Sequence, residues 1–93
     1  MIVWTELASQ QMDEVYDYIA LSSEKAAAQI ATRIIESVQQ LATFPMSGRS
    51  GRVPGTRELV ISGTPFIAAY AIEHNRIVVL AIYHGAQRWP QAF

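Results

Sequence analysis

His84 closes the apolar run "IVVLAIYH", with Gly85 directly after it and Arg88 four positions on. An imidazole beside a guanidinium pairs a proton-transfer group with an anion stabiliser. Cleavage of an RNA phosphodiester by its own 2′-hydroxyl would use that combination. His84 could equally bond a backbone group at the end of its strand. Arg57 joins this set because it opens "RELVI" and so sits on a strand, where its position is fixed. Two further arginines precede it in "SGRSGRVPGTR", residues 47–57, which holds three of the chain's seven basic residues. Arg49 and Arg52 can grip phosphates through charge-assisted hydrogen bonds, or they can ride on a solvated connector whose glycines make turns. The stretch lacks the "GxxxxGK[ST]" spacing and opens no helix, so it is not a P-loop.

No nucleophile is visibly paired with a base. Ser22, Ser23, Ser47, Ser50 and Ser62 fall at caps and turns, where local hydrogen bonding accounts for them. His74 belongs to a turn, and Trp89 can stack on a base or seal the end of the core. There is no cysteine, which excludes disulfides and thiolate zinc sites, and two histidines make a poor metal-ligand set. No metal and no cofactor is expected.

The elements that must hold these residues can be read from the period of the apolar positions. "MIVW" favours an extended start, and Thr5 after it can cap a helix with its hydroxyl. Ala8, Met12, Val15 and Ile19 recur at helical spacing, with Asp13, Glu14 and Asp17 between them, so residues 6–21 form an amphipathic helix. Ser23 caps a second helix whose stripe is Ile30, Ile34, Val38 and Leu41, with Arg33, Glu36 and Gln40 toward water. Pro45 stops it near Thr43. So short a link makes the two helices an antiparallel hairpin.

After the Gly/Arg connector the period becomes extended. "RELVI", "PFIAAYAI" and "IVVLAIYH" are strands, joined by "SGTP" and by "EHNR", where Asn75 tolerates a positive φ. The last strand is apolar at both parities, which places it centrally. The expected fold is α+β: a small antiparallel sheet of about four strands with an N-terminal helical hairpin on one face, in the order β-α-α-β-β-β. Alternation sends Tyr83 and His84 to opposite faces, so only one can lie on the open face.

At 93 residues the chain reads as one domain spanning 1–93, and its apolar share of 51% suits a folded globule. No basic leader precedes "IVW", and no apolar run approaches the roughly 20 residues of a membrane span. A cytoplasmic protein with no membrane partner is expected. The net charge of −1 conceals a division. Up to residue 46, six carboxylates face two cations, a balance of −4. Beyond it, Arg49, Arg52, Arg57, Arg76 and Arg88 face two carboxylates, a balance of +3. Such asymmetry can mark a half that meets anionic partners, although five dispersed arginines are a modest footprint beside a nucleic-acid binder.

"FPMSGRSGRVPGTREL", then "PFIAAYAI" and "RIVVLAIYHGAQRWP", all behind a helix pair, resemble the RelE/ParE superfamily of toxins from type II toxin–antitoxin systems. The resemblance runs over nearly the whole chain, and the order of its motifs is more specific than any one of them. It implies the fold derived above. It also implies a cytoplasmic growth inhibitor neutralised by a cognate antitoxin protein that wraps it and supplies the contact to operator DNA.

Two classes divide that superfamily. ParE-like members poison DNA gyrase. RelE-like members cleave mRNA on the ribosome with a cluster of Arg and Lys, sometimes with a His, on the open sheet face. Nucleases commonly carry an arginine ahead of an "LVY" segment in the penultimate strand, where this chain has Ile67 ahead of "AAY". The single lysine also departs from the nucleases. "YH" at the close of the last strand is similar to some nuclease members, and Arg57 and Arg88 match positions where they place basic residues. The resemblance therefore implies a gyrase inhibitor. Its alternatives are a ribosome-dependent endoribonuclease with Arg57, His84 and Arg88 as catalytic residues, or a degenerate toxin that acts only as antitoxin partner and co-repressor.

Overall fold

The computed structural model describes residues 1–86. Its elements are β1 (Ile2–Trp4), α1 (Glu6–Ala20), α2 (Glu24–Gln39), a 3-10 turn (Gln40–Ala42), β2 (Arg49–Ser50), β3 (Arg57–Val60), β4 (Phe66–Glu73) and β5 (Arg76–His84). The helices begin where hydroxyls satisfy orphan amides. The Thr5 Oγ1 accepts from the Ala8 N–H at 3.1 Å, and the Ser23 Oγ accepts from the Ala26 N–H at 3.1 Å. α2 tightens into the 3-10 turn just ahead of Pro45, which has no N–H to continue the ladder.

The sheet has the order β1-β5-β4-β3-β2, with β1 parallel to β5 and every other pair antiparallel. Among the described residues this gives five strands where the sequence suggested about four. The additional one, β2, is a two-residue arm inside the Gly/Arg connector, with Arg49 opposite Glu58 and Ser50 opposite Arg57. Two residues cannot display a period of two, so the arm left no pattern to read. β4 and β5 turn back through His74 and Asn75, at φ of 50° and 60°, the two successive left-handed positions of a tight hairpin.

Alternation divides the sheet into two faces. Ile34, Val38 and Leu41 of the second helical segment pack with Ala8 of α1 onto Phe66, Ala68, Tyr70, Ile77, Val79 and Ile82, with Met12, Val15, Ile19 and Ile30 closing the margins. Each fully buried Ile, Val or Leu contributes about 1.5–3 kcal/mol of transfer free energy. The opposite face carries a smaller cluster of Ile67, Ala69, Ala81 and Tyr83. Pairing shifts between Ala69 and Tyr70, which face Ala81 and Val79, so Leu80 is an extra residue on β5. That irregularity turns the Leu80 carbonyl to the Thr5 hydroxyl at 3.2 Å. Beyond the end of β1, the edge of β5 meets α1 instead of a strand: the Ile82 N–H donates to the Gln11 Oε1 at 2.8 Å. No helix among the described residues is long and apolar enough to cross a membrane.

Candidate functional site

His84 ends β5 opposite Phe66, with the two rings edge to face at 5.6 Å. Phe66 belongs to the helix-side core, so His84 lies on the helix side of the sheet. It borders an open groove of about 380 Å³ between α1 and the end of β5, together with Gln11, Glu14, Tyr18 and Phe66. Its Nδ1 accepts from the Ala86 N–H at 3.0 Å, which leaves Nε2 as the nitrogen that carries the proton of the neutral ring. The anticipated bond to a backbone group at the strand end is therefore made.

Arg57 opens β3 opposite Tyr70, also on the helix side. β3 and β5 both run antiparallel to β4, so they run parallel to one another. The start of one and the end of the other consequently lie toward opposite ends of the sheet. On β4 their partners Tyr70 and Phe66 are four residues apart, about 13 Å at the usual strand rise. The sheet thus does not bring Arg57 to His84, contrary to the expectation that it would hold the two in one cluster. Arg88, like Trp89, lies outside the described residues.

Arg57 instead clasps the connector. Its Nε and Nη2 donate to the Gly48 carbonyl at 3.1 and 2.6 Å, and Nη2 also donates to the Met46 carbonyl at 3.2 Å. Tyr70, fully buried across the strand, reinforces this. Its hydroxyl donates to the Pro45 carbonyl at 2.7 Å and accepts from the Gly48 N–H at 3.0 Å. Gly48 must be small here, because an added Cβ would come within 2.6 Å of that hydroxyl and 2.8 Å of the Glu58 carbonyl oxygen.

Arg49 and Arg52 meet on the other face through Glu58, a carboxylate only 2% exposed. The Arg49 guanidinium bridges Glu58 Oε1 through Nε and Nη2, each at 2.9 Å, and the Arg52 backbone N–H donates to Oε2 at 3.1 Å. A buried carboxylate needs such company, since an unpaired charge there would lose its hydration without compensation. Arg49 is therefore spoken for structurally. Tyr83 shares this face, and burial pushes its phenol well above the ordinary tyrosine range. The Glu58 charge adds to the shift, and Arg52 and Arg49 oppose it.

Sequence reasoning missed Glu58, Tyr70 and Gln11. Only Glu58 left a signal: it follows Arg57 in a short strand, so a partner for its charge was needed on the face opposite to Leu59. The bonds of Tyr70 and Gln11 span 22 or more residues and depend on tertiary pairing.

Comparison with known proteins places this geometry in a family. The sequence profile described as ParE toxin of type II toxin-antitoxin system, parDE, matches residues 2–89. The Sinorhizobium fredii protein Y4kP, provisionally described as a toxin, is 41% identical over 90 residues, which cover 97% of this chain and 93% of that one. Toxin RelE2 of Caulobacter vibrioides is 30% identical over 86 residues, covering 92% and 96%. Among solved structures, the chromosomal ParDE TA system from P. aeruginosa contains a chain that matches with a TM-score of 0.80 and 30% identity, over 89% of this chain and 92% of its own.

Proposed function

The chain belongs to the ParE toxin family of type II toxin–antitoxin systems, and from that premise we propose that it arrests growth by binding DNA gyrase until a cognate antitoxin neutralises it. It acts in the cytoplasm, and it meets operator DNA only through the antitoxin. The observation that carries the gyrase reading is the chemistry of the sheet face turned away from the helices. Ile67 stands where the resemblance puts a nuclease arginine, and it is buried with Ala69, Ala81 and Tyr83. The neighbouring cation, Arg49, is neutralised by Glu58. Arg57 and His84 lie on the other side and toward opposite ends. General acid–base cleavage would need its groups to act on one phosphate, and the strand partners of Arg57 and His84 on β4 stand about 13 Å apart at the usual strand rise. A binding poison has no such requirement.

Inducing the chain alone tests the reading. Gyrase-dependent chromosome breaks with intact transcripts are expected, together with inhibited supercoiling by purified gyrase. Cleaved mRNA with intact DNA would overturn it in favour of a ribosome-dependent nuclease. His84→Ala and Arg88→Ala should then strongly reduce cleavage. Absence of any growth defect would leave only the role of antitoxin partner and co-repressor.

A further inference from the structure

The connector between the helices and the sheet is held more tightly than a connector requires. Between Pro45 and Arg57 it is tied to the sheet by Tyr70, Arg57 and Glu58, and to itself by the Gly51 N–H to Thr56 carbonyl bond at 2.8 Å and the Thr56 hydroxyl to Val53 carbonyl bond at 2.6 Å. What this frame displays is apolar. Phe44 and Met46 are each 63% exposed, and Ile72 at the end of β4 is 40% exposed. Met46 and Ile72 flank an open hollow of about 450 Å³ whose wall includes Pro54, Thr56 and Arg57. The partners of Arg57 among the described residues are neutral carbonyls, which fix its plane and leave its charge uncompensated.

We propose that this end of the sheet, Met46 and Ile72 beside Arg57, with the exposed Phe44 two residues before Met46 in the chain, is the docking site for a segment of the antitoxin that brings an apolar anchor together with a carboxylate. The inference rests on the toxin–antitoxin reading above. Three features select this occupant. A segment that becomes ordered only on binding loses its own conformational entropy, and a receptor fixed in advance adds no second ordering cost. Durable neutralisation requires slow dissociation, which comes from large apolar side chains seated in a preformed hollow. Charge directs an acidic segment here: the Arg57 guanidinium, held by neutral carbonyls, lines the same hollow as Met46 and Ile72. The helical face also exposes Tyr18 and Leu21, but among carboxylates that would repel such a segment.

Two measurements test this with the cognate antitoxin as probe. In the first, the wild-type toxin is oxidised with dilute peroxide alone and in complex. The exposed Met46 sulfur should form sulfoxide at least about tenfold more slowly in the complex. An equal rate in both would overturn the proposal. In the second, Phe44→Ser/Met46→Ser is titrated with antitoxin. Both side chains are mostly in water, so the double variant should keep the circular dichroism and melting behaviour of the parent while its affinity falls at least about tenfold. Parent-like affinity would overturn the proposal, as would lost toxicity with parent-like affinity, because the patch would then serve the target. If the wild-type chain itself neither binds antitoxin nor is neutralised by it, the toxin–antitoxin reading fails instead.

Discussion

Replacing Tyr70 by Phe removes one oxygen and leaves two backbone groups without their partner. The hydroxyl donates to the Pro45 carbonyl at 2.7 Å and accepts from the Gly48 N–H at 3.0 Å, while the ring itself is fully buried. A buried backbone group stripped of its hydrogen bond costs about 1–3 kcal/mol. Gly48 is buried and should bear that in full, whereas Pro45 is half-buried and water can reach its carbonyl. The expected loss is about 2 kcal/mol. With a urea dependence of roughly 1.5 kcal/mol per M, the unfolding midpoint should fall by about 1.3 M. The assay is equilibrium refolding of the toxin after denaturant has released it from its antitoxin, followed by tryptophan fluorescence. Hydrogen exchange at the Gly48 amide should accelerate in parallel. A midpoint within about 0.3 M of the parent, with unchanged exchange at Gly48, would refute the assignment of Tyr70 as the clasp of the connector.

Gly48→Ala attacks the same clasp from the opposite side: its Cβ meets the Tyr70 ring carbon at 2.7 Å, and overpacking of this kind should cost about 1–3 kcal/mol in the same titration. Thr5→Ala loses the α1 cap and the bond to Leu80, so stability should drop by about 1 kcal/mol and the melting temperature by about 4–8 °C, as read by calorimetry. The raised Tyr83 pKa has a definite sign. Folding keeps the phenol neutral, so its contribution is complete below the unfolded tyrosine value of about 10 and is lost as pH rises beyond it toward the folded value. Urea midpoints measured from pH 8 to 11 should therefore decline less steeply for Tyr83→Phe than for the parent, and equal slopes would contradict the role assigned to burial there.

Local chemistry accounts for what could be foreseen. Thr5 and Ser23 cap helices because their hydroxyls reach amides three residues on, and Asn75 turns the hairpin because its side chain tolerates φ of 60°. The central place of the last strand followed from apolar residues at both parities, and β5 does lie between β1 and β4. Register was less visible. Arg57 and His84 looked close because each sits at a strand end, yet which end depends on the direction of β3 and β5 relative to β4, and composition does not encode it. The connector was legible as a turn-rich segment, but its rigidity comes from Tyr70 and Glu58, residues that belong to other elements.

The partnership of β1 with β5 has a consequence for synthesis. The Thr5 to Leu80 bond spans 75 positions, and among the described residues β1 has no neighbour in the sheet except β5. The helical hairpin and the β3–β4 pair can form from nearby sequence as the chain emerges. The sheet cannot close until Arg76–His84 has been made, because β5 fills the place between β1 and β4. A chain cut short before that strand is not a weaker toxin. It is a molecule with two open edges facing a gap, a substrate for aggregation and proteolysis.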